Sequence, residues 1–363
     1  MLITKIFKLE DFRESIPFTA IGARTCYSSG NLEYLLNDPR VVSREERAKF
    51  LSKLGNYKHF SVFAHSFAYK DLSDVDEKII DSYLPEEIKN LPKKEKAKIT
   101  AMKIASTKFK SHYNPEYPTV IGISLRHYLE DLLAEDEEKY YKTFEKMADF
   151  DIPIKPLGSR GNTTLIGLLK DYDGYAVFFI QDISRTMTHQ LVRHTALNYS
   201  QRSQRYVRED ENLLIIPPSV KKSEFELQDK TLVENYLNLI NSYKAFIERA
   251  DIKENLKGEV ISRINDFTEG YKKTERLKLE DIFRLTDQLA QTVYDLSVYN
   301  GKVKREDARF ILPHGRKTTI VVSGTISWIK DFIVKRTDPH AQWEIQNVAN
   351  QMKQLLLEQG IDV

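Results

Sequence analysis

The sequence predicts a fold that mixes α-helices with β-strands, and three observations carry that prediction. The run Tyr175-Ala176-Val177-Phe178-Phe179-Ile180 is continuously apolar, rich in aromatic and β-branched residues and too short for a helix, so it reads as a buried strand. Val233, Tyr236, Leu237, Ile240, Tyr243 and Ile247 recur at three- and four-residue steps, as do Ile282, Leu285, Leu289, Val293 and Leu296, which predicts two amphipathic helices. The segment His59 to Tyr69 alternates apolar and polar side chains and reads as a further strand.

Taken in order, residues 1–70 alternate short apolar runs with turn residues and read as mixed α and β. From Asp71 to Asp173 the chain turns charged and helix-forming, broken by Pro85, Pro92, Pro115 and Pro118 and closing on the turn Gly158-Ser159-Arg160-Gly161-Asn162. This predicts an inserted helical subdomain over residues 71–174, with residues 1–70 and 175–363 forming one discontinuous domain. Ser184 is placed to cap a helix after the strand at 175–180. Thr318 to Gly324 is short and β-branched and fits either a helix or a strand. Asp338-Pro339 reads as an N-cap followed by a first-turn proline, opening a last helix whose stripe Ile345, Val348, Met352 and Leu355 stops at Gly360.

Composition narrows the function classes. Hydrophobic residues are 41% and charged residues 30% of the 363, which excludes a disordered or low-complexity chain. Lys plus Arg is 55 against 53 Asp plus Glu, so bulk charge gives no reason to expect nucleic acid or a membrane surface as partner. The single cysteine, Cys26, rules out an intramolecular disulfide and a Cys-based zinc site and suits a reducing compartment, so cytoplasm is the expected location. No apolar stretch approaches the ~20 residues of a membrane span, and the start, MLITKIFKLEDF, meets acidic residues too early for a signal peptide. His189 and His194 are five apart and do not share a helical face, and HExxH, GxSxG, P-loop and GxGxxG patterns are missing. A metal site is therefore not expected.

Donors concentrate in Arg193-His194-Thr195-Ala196-Leu197-Asn198-Tyr199-Ser200-Gln201-Arg202-Ser203-Gln204-Arg205-Tyr206, preceded by Arg185, His189 and Gln190. Arg193, Arg202 and Arg205 offer planar guanidinium forks for phosphate oxygens, Ser200, Gln201, Ser203 and Gln204 suit smaller polar groups, and Tyr199 and Tyr206 can wall a flat ring. That chemistry fits a small phosphorylated ligand; the plainer reading is a solvated basic helix end. A second cluster, Lys335-Arg336-Thr337-Asp338 leading into His340-Ala341-Gln342-Trp343-Glu344, reads either as an anion site at a helix start or as plain capping. Cys26 reads as a small buried hydrophobe rather than a nucleophile. Lys93, Lys94, Lys96, Lys98, Lys103, Lys108 and Lys110 read as a solvated helix face rather than a nucleic-acid surface.

These residues resemble the flavin-dependent thymidylate synthases, the ThyX family. Arg193-His194-Thr195 followed after seven residues by Ser203 is similar to that family's Arg-His-Arg signature with its distant Ser. Ser203-Gln204-Arg205-Tyr206 resembles its Ser-x-Arg-Tyr, and Arg336 with His340-Ala341-Gln342-Trp343-Glu344-Ile345 resembles its C-terminal motif. Ala23-Arg24-Thr25-Cys26-Tyr27, His59 with Ser61, Phe63 and His65, and Ala308-Arg309-Phe310-Ile311-Leu312-Pro313 follow the family's order. The likeness covers residues 20–70 and 175–355.

The resemblance implies an α+β fold, a mixed sheet with flanking helices, here with the inserted mainly helical subdomain. It implies reductive methylation of dUMP to dTMP by a methyltransferase that takes its carbon from methylenetetrahydrofolate and uses FAD reduced by NADPH. It places Gln190, Arg193, Gln201, Arg202, Ser203, Gln204, Arg205, Arg309 and Arg336 on dUMP, with Arg336 as the catalytic residue that stabilises charge developing in the uracil ring. It places Cys26, His59, Ser61, Arg193, His194, Thr195, Gln201 and Asp331 on FAD. It further implies a homotetramer with sites between subunits. The chain departs from the family pattern at Thr195 and Ala64, where Arg and Glu are usual, at Thr325-Ile326-Ser327 for Asn-Ala-Arg, and at Asp331. Arg126, His127 or Arg160 of the insertion are candidates to replace the missing cations. Two rivals remain: a paralogue that binds a pyrimidine nucleotide but alkylates another substrate or has lost flavin chemistry, and a non-catalytic nucleotide- or RNA-binding protein.

Overall fold

The structure is a computed structural model that describes residues 3–150, 153–208, 214–251, 254–271 and 276–363. It is α+β, and its strands are β1 (Phe67–Asp71), β2 (Val120–Ser124), β3 (Gly158–Arg160), β4 (Thr163–Leu169), β5 (Tyr175–Ser184), β6 (Asn198–Gln201), β7 (Glu226–Leu227), β8 (Leu277–Lys278) and β9 (Lys317–Thr325). The chain divides into two compact units: Met1–Asp182, Met187–Arg202 and Thr319–Val363 form the first, and Ile183–Thr186 and Ser203–Thr318 the second.

This division differs from the one the sequence predicts. Residues 71–174 lie wholly within the first unit together with the N-terminal region. The cause is a shared core and a shared sheet. β1 pairs antiparallel with β2, Phe67 opposite Ser124, and Phe12, Leu51 and Phe63 bury their side chains in one cluster with Ala97, Ile104, Ile121, Leu129 and Phe144. The region is also not purely helical, since it contributes β2, β3 and β4 as well as the helices Lys93–Thr107, Leu125–Glu135 and Glu137–Lys146.

The larger sheet runs β3-β4-β5-β9-β6. The run at 175–180 is the wholly buried start of β5, as its apolar composition requires. Thr318 to Gly324 is strand: β9 lies between β5 and β6, where Ile320, Val321 and Val322 are wholly buried and β-branched side chains pack well. β6 meets it antiparallel, Asn198 opposite Ser323.

Two local readings need correction. His59 to Tyr69 is not one strand; Phe60–His65 forms a 3-10 turn and β1 starts at Phe67. Val62, Phe63, Ala64 and His65 are consecutive and all buried, so alternating polarity here does not mark alternating faces. The last helix begins at Trp343 rather than Pro339. Gln342 is its N-cap, accepting from the Glu344 and Ile345 amides at 3.0 and 3.1 Å, while Asp338 accepts from the His340 amide in a separate turn. The helix ends at Glu358, capped by Gln359, and Gly360 follows with a φ of +77° that suits glycine and stops it.

In the second unit the two predicted amphipathic helices appear as Lys230–Arg249 and Leu279–Tyr299, packed with Glu254–Tyr271 around Ile240, Ile247, Val260, Ile264 and Leu285. The lysine run of the first unit is largely matched by acids and carbonyls rather than forming one basic face. Lys96 is buried against Glu77 and Asp81 at 2.5 and 2.7 Å, Lys108 pairs with Asp131, and Lys103 donates to the Tyr83 carbonyl. Among the described residues no helix is long and apolar enough to cross a membrane, and no cluster of His, Cys, Asp and Glu could hold a metal ion.

Candidate functional site

In the first unit a buried polar chain underlies the segment rich in donors. His65 is wholly buried, with Nδ1 at 2.8 Å from Ser323 Oγ and Nε2 at 2.8 Å from Ser200 Oγ. Burial, reinforced by the nearby Lys110 charge, pulls its pKa down to about 3, so the ring is neutral, donating at one nitrogen and accepting at the other. Tyr175 donates its hydroxyl to the Ala64 carbonyl at 2.8 Å and lies 2.8 Å from Ser323 Oγ, and Asn198 donates to the same carbonyl at 3.3 Å. A Cβ on Gly22 would sit 2.4 Å from the His65 ring, so the helix Ile16–Tyr27 needs glycine there to approach it. Cys26 hydrogen-bonds Ser200 from the same helix, and burial pushes its thiol up to about 11, so it is no nucleophile at neutral pH.

A second, more open arrangement is built around His194 and Arg336. Arg336 ends the helix Ile326–Arg336 and donates from Nε to His194 Nε2 at 2.8 Å. That bond makes Nε2 the acceptor and leaves the ring proton on Nδ1. Burial first, then the Arg336 charge, lowers the His194 pKa and keeps the ring neutral. Phe332, one turn before Arg336, meets the His194 ring edge to face at 4.9 Å. Tyr199 places its hydroxyl within 2.7 and 2.8 Å of the Leu191 and His194 carbonyls and ties down the loop. Arg193 and Thr195 flank His194 and are exposed.

The other predicted residues fall into separate groups. Gln201 Nε2 donates to Thr188 Oγ1 at 3.1 Å, the Arg202 amide donates to the Thr319 carbonyl, and Gln190 is half-buried. His59 meets the Tyr27 hydroxyl at 2.9 Å, and burial lowers its pKa, while Ser61 is exposed. Asp331 is exposed and paired with Lys335 at 2.8 Å. In the second unit Arg205 Nε meets Glu306 at 2.9 Å and Arg309 Nε donates to the Glu306 carbonyl at 3.1 Å. Ser203 Oγ accepts from the Arg205 amide there, and Gln204 is buried. Glu306 thus gathers the two arginines locally.

Some of the residues that organise the first unit carried no sequence signal as a group. Asp173 lies 2.7 Å from His112 Nε2 and accepts from Ser327 Oγ at 2.6 Å. Burial opposes its ionisation, but these hydrogen bonds outweigh it and hold the carboxyl below its ordinary range. Thr325 caps the helix Ile326–Arg336 through the Trp328 amide. Two of the three departures at Thr325-Ile326-Ser327 therefore have local work at that helix start. Of the candidate replacement cations, Arg126 pairs with Glu130, Arg160 with Glu358, and His127 is buried beside Ser124.

A family model described as thymidylate synthase complementing protein matches residues 174–359, just over half of the 363 residues. The chain belongs to this family. The match includes the loop at 193–206, Arg309 and Arg336, whereas Cys26, His59 and Ser61 precede it. A curated relative from Clostridium tetani, named flavin-dependent thymidylate synthase, is 29% identical over 177 residues, 48% of this chain and 55% of its own. One of the same name from Pyrococcus furiosus is 32% identical over 179 residues, 48% of this chain and 51% of its own. The chain thus spans about half the length of the curated relatives it matches. A solved Thymidylate Synthase X from Helicobacter pylori, with FAD and dUMP, aligns over 50% of this chain and 67% of its own at 17% identity and a TM-score of 0.29.

Proposed function

We propose that the chain is a flavin-dependent thymidylate synthase, converting dUMP to dTMP with a carbon from methylenetetrahydrofolate and reducing equivalents from NADPH through FAD. The observation that carries the reading is the family match over residues 174–359, which contains both the donor-rich loop and Arg336. Relatives named flavin-dependent thymidylate synthase, each matching about half of the chain, support it.

The residues present suit both ligands. Arg193 and Thr195 are exposed on a loop held by Tyr199, and His194 is neutral and fixed in orientation by Arg336. Bound FAD supplies the hydride. Cys26, His59, Ser61, Arg193, His194, Thr195, Gln201 and Asp331 hold it. Gln190, Arg193, Gln201, Arg202, Gln204 and Arg309 position dUMP, and Ser203 and Arg205 take its phosphate. Arg336 is the catalytic residue. Its Nε is engaged by His194, and among the described residues its Nη groups make no hydrogen bond, which leaves them for the uracil edge, where negative charge develops as hydride arrives. No enzyme nucleophile is needed, consistent with a protonated Cys26. The working form is a homotetramer of the cytoplasm.

The test is turnover by the purified protein with dUMP, methylenetetrahydrofolate, NADPH and FAD. dTMP forms only when all four are present; no dTMP under those conditions overturns the reading. A second reading, a paralogue acting on a different pyrimidine nucleotide, is favoured by the engagement of Thr325 and Ser327 at a helix start. Methylation of UMP in preference to dUMP would select it.

A further inference from the structure

We infer that Lys110 is an anion-binding residue of this site, placed to hold a phosphoryl or diphosphate group of a nucleotide bound over the loop Arg193 to Asn198. The inference rests on the reading of that loop as a nucleotide site. Lys110 follows the helix Lys93–Thr107 and has a φ of +62°, a left-handed conformation that lysine seldom adopts and that persists only where the surroundings impose it. From this turn Nζ reaches the donor-rich loop, 2.5 Å from the Leu197 carbonyl oxygen and 3.2 Å from Asn198 Oδ1.

Both acceptors are neutral, and among the described residues no carboxylate pairs with Lys110. The charge that acts on it is a second cation, Arg126, and burial first and Arg126 second pull the ammonium pKa down to about 8. Its neighbours in the run differ: Lys96 has Glu77 and Asp81, and Lys108 has Asp131. A half-buried ammonium beside another cation and without a counter-charge is unfavourable in the protein alone, and an arriving anion removes the penalty. Phe109, 74% exposed, lies beside it with its ring centroid 5.5 Å from Nζ. An open apolar face next to a cation suits a ligand that joins a flat ring to a phosphate. Lys110 comes from the region that precedes the family match, so this chain brings a cation to the loop from outside residues 174–359.

The experiment compares the full-length protein with Lys110→Gln and Lys110→Arg by calorimetric and fluorescence titration against inorganic pyrophosphate, riboflavin, FMN, FAD and dUMP. Lys110→Gln is expected to weaken pyrophosphate and FAD tenfold or more, to leave riboflavin within twofold, and Lys110→Arg to restore most of the loss. A loss falling on dUMP instead of FAD assigns the anion to the substrate phosphate and equally supports the inference. Riboflavin weakened as much as FAD shows that Lys110 only props the loop and overturns it, as does pyrophosphate binding that ignores the substitution. Binding of pyrophosphate through Lys110 by a protein that takes up no flavin leaves the anion site standing and removes the flavin reading. Should Lys110→Gln fail to fold, acylation of the wild-type lysines read by mass spectrometry decides: pyrophosphate protects Lys110 relative to Lys94, and equal labelling overturns the inference.

Discussion

Two histidines of the first unit show how differently one fold uses the same side chain. His65 is wholly buried between two serine hydroxyls, both ring nitrogens engaged by the protein itself. His194 is half-buried on a loop, with one nitrogen accepting from Arg336 and exposed residues on either side. The inner network closes on itself and fixes geometry; the outer pair orients a guanidinium whose Nη groups make no hydrogen bond among the described residues. The contrast separates what holds the site from what acts in it. Breaking the inner member should destabilise the fold, and breaking the outer one should cost activity with the fold intact.

The largest effect is expected at the inner member. His65→Leu removes the ring partner of the buried Ser200 hydroxyl and leaves Ser323 with Tyr175 alone, so the urea midpoint should fall by the equivalent of about 1–3 kcal/mol. A change below about 1 kcal/mol would mean that the network is slack and the contrast false. Acid offers an independent test. The folded pKa of His65 lies at about 3, against 6.5 for the free side chain, so the native state binds fewer protons than the unfolded one between those values. Its contribution to stability is therefore complete above pH 6.5 and is lost as pH falls toward 3. Urea midpoints followed from pH 7 to 4 should drop more steeply for wild type than for His65→Leu.

At the outer member the readout changes. Arg336→Gln removes the cation but keeps an amide donor, and on the proposed function dTMP formation should fall about 100-fold or more, about 2.7 kcal/mol of transition-state stabilisation. Stability should move by less than about 1 kcal/mol, because Arg336 is half-exposed and joined to His194 by one hydrogen bond. A variant that loses stability and activity in proportion would place Arg336 with the inner network instead.

The same contrast marks what was legible in the sequence. Strongly periodic or strongly apolar segments were readable: β5 from its aromatic run, the helices Lys230–Arg249 and Leu279–Tyr299 from their stripes. Polarity misled where a polar side chain is internal, as at His65, because the pattern says nothing about hydrogen-bond partners 135 and 258 residues away. The start of the last helix moved because Gln342, a less usual cap, satisfies the first amides in place of Asp338. The insertion at 71–174 read as separate because its charged texture differs from its surroundings, yet β1 and β2 pair across its boundary and one core spans both sides. Arg336 and His194 were each recognisable by motif, and their 2.8 Å contact was not, since 142 residues separate them. Lys110 carried no local signal beyond its place in a lysine run.

The smallest expected effect tests where the outer region ends. Asp331 lies on the helix that carries Arg336, is exposed, and pairs with Lys335 one turn on, a type of contact worth about 0.3–0.5 kcal/mol. It also acts electrostatically on His194, raising that pKa against the larger effects of burial and Arg336. Asp331→Asn should leave stability within about 0.5 kcal/mol of wild type. If Asp331 holds FAD through its carboxylate, the substitution weakens FAD binding about fivefold, roughly 1 kcal/mol, and titration of flavin fluorescence reads the change directly. FAD affinity that does not move would leave Asp331 as a surface ion pair and confine the acting side of the first unit to His194, Arg336 and the residues beside them. Because Asn preserves the shape and one acceptor oxygen, either result concerns the carboxylate itself and not the backbone that carries it, and so tests how far the exposed region around the outer histidine extends.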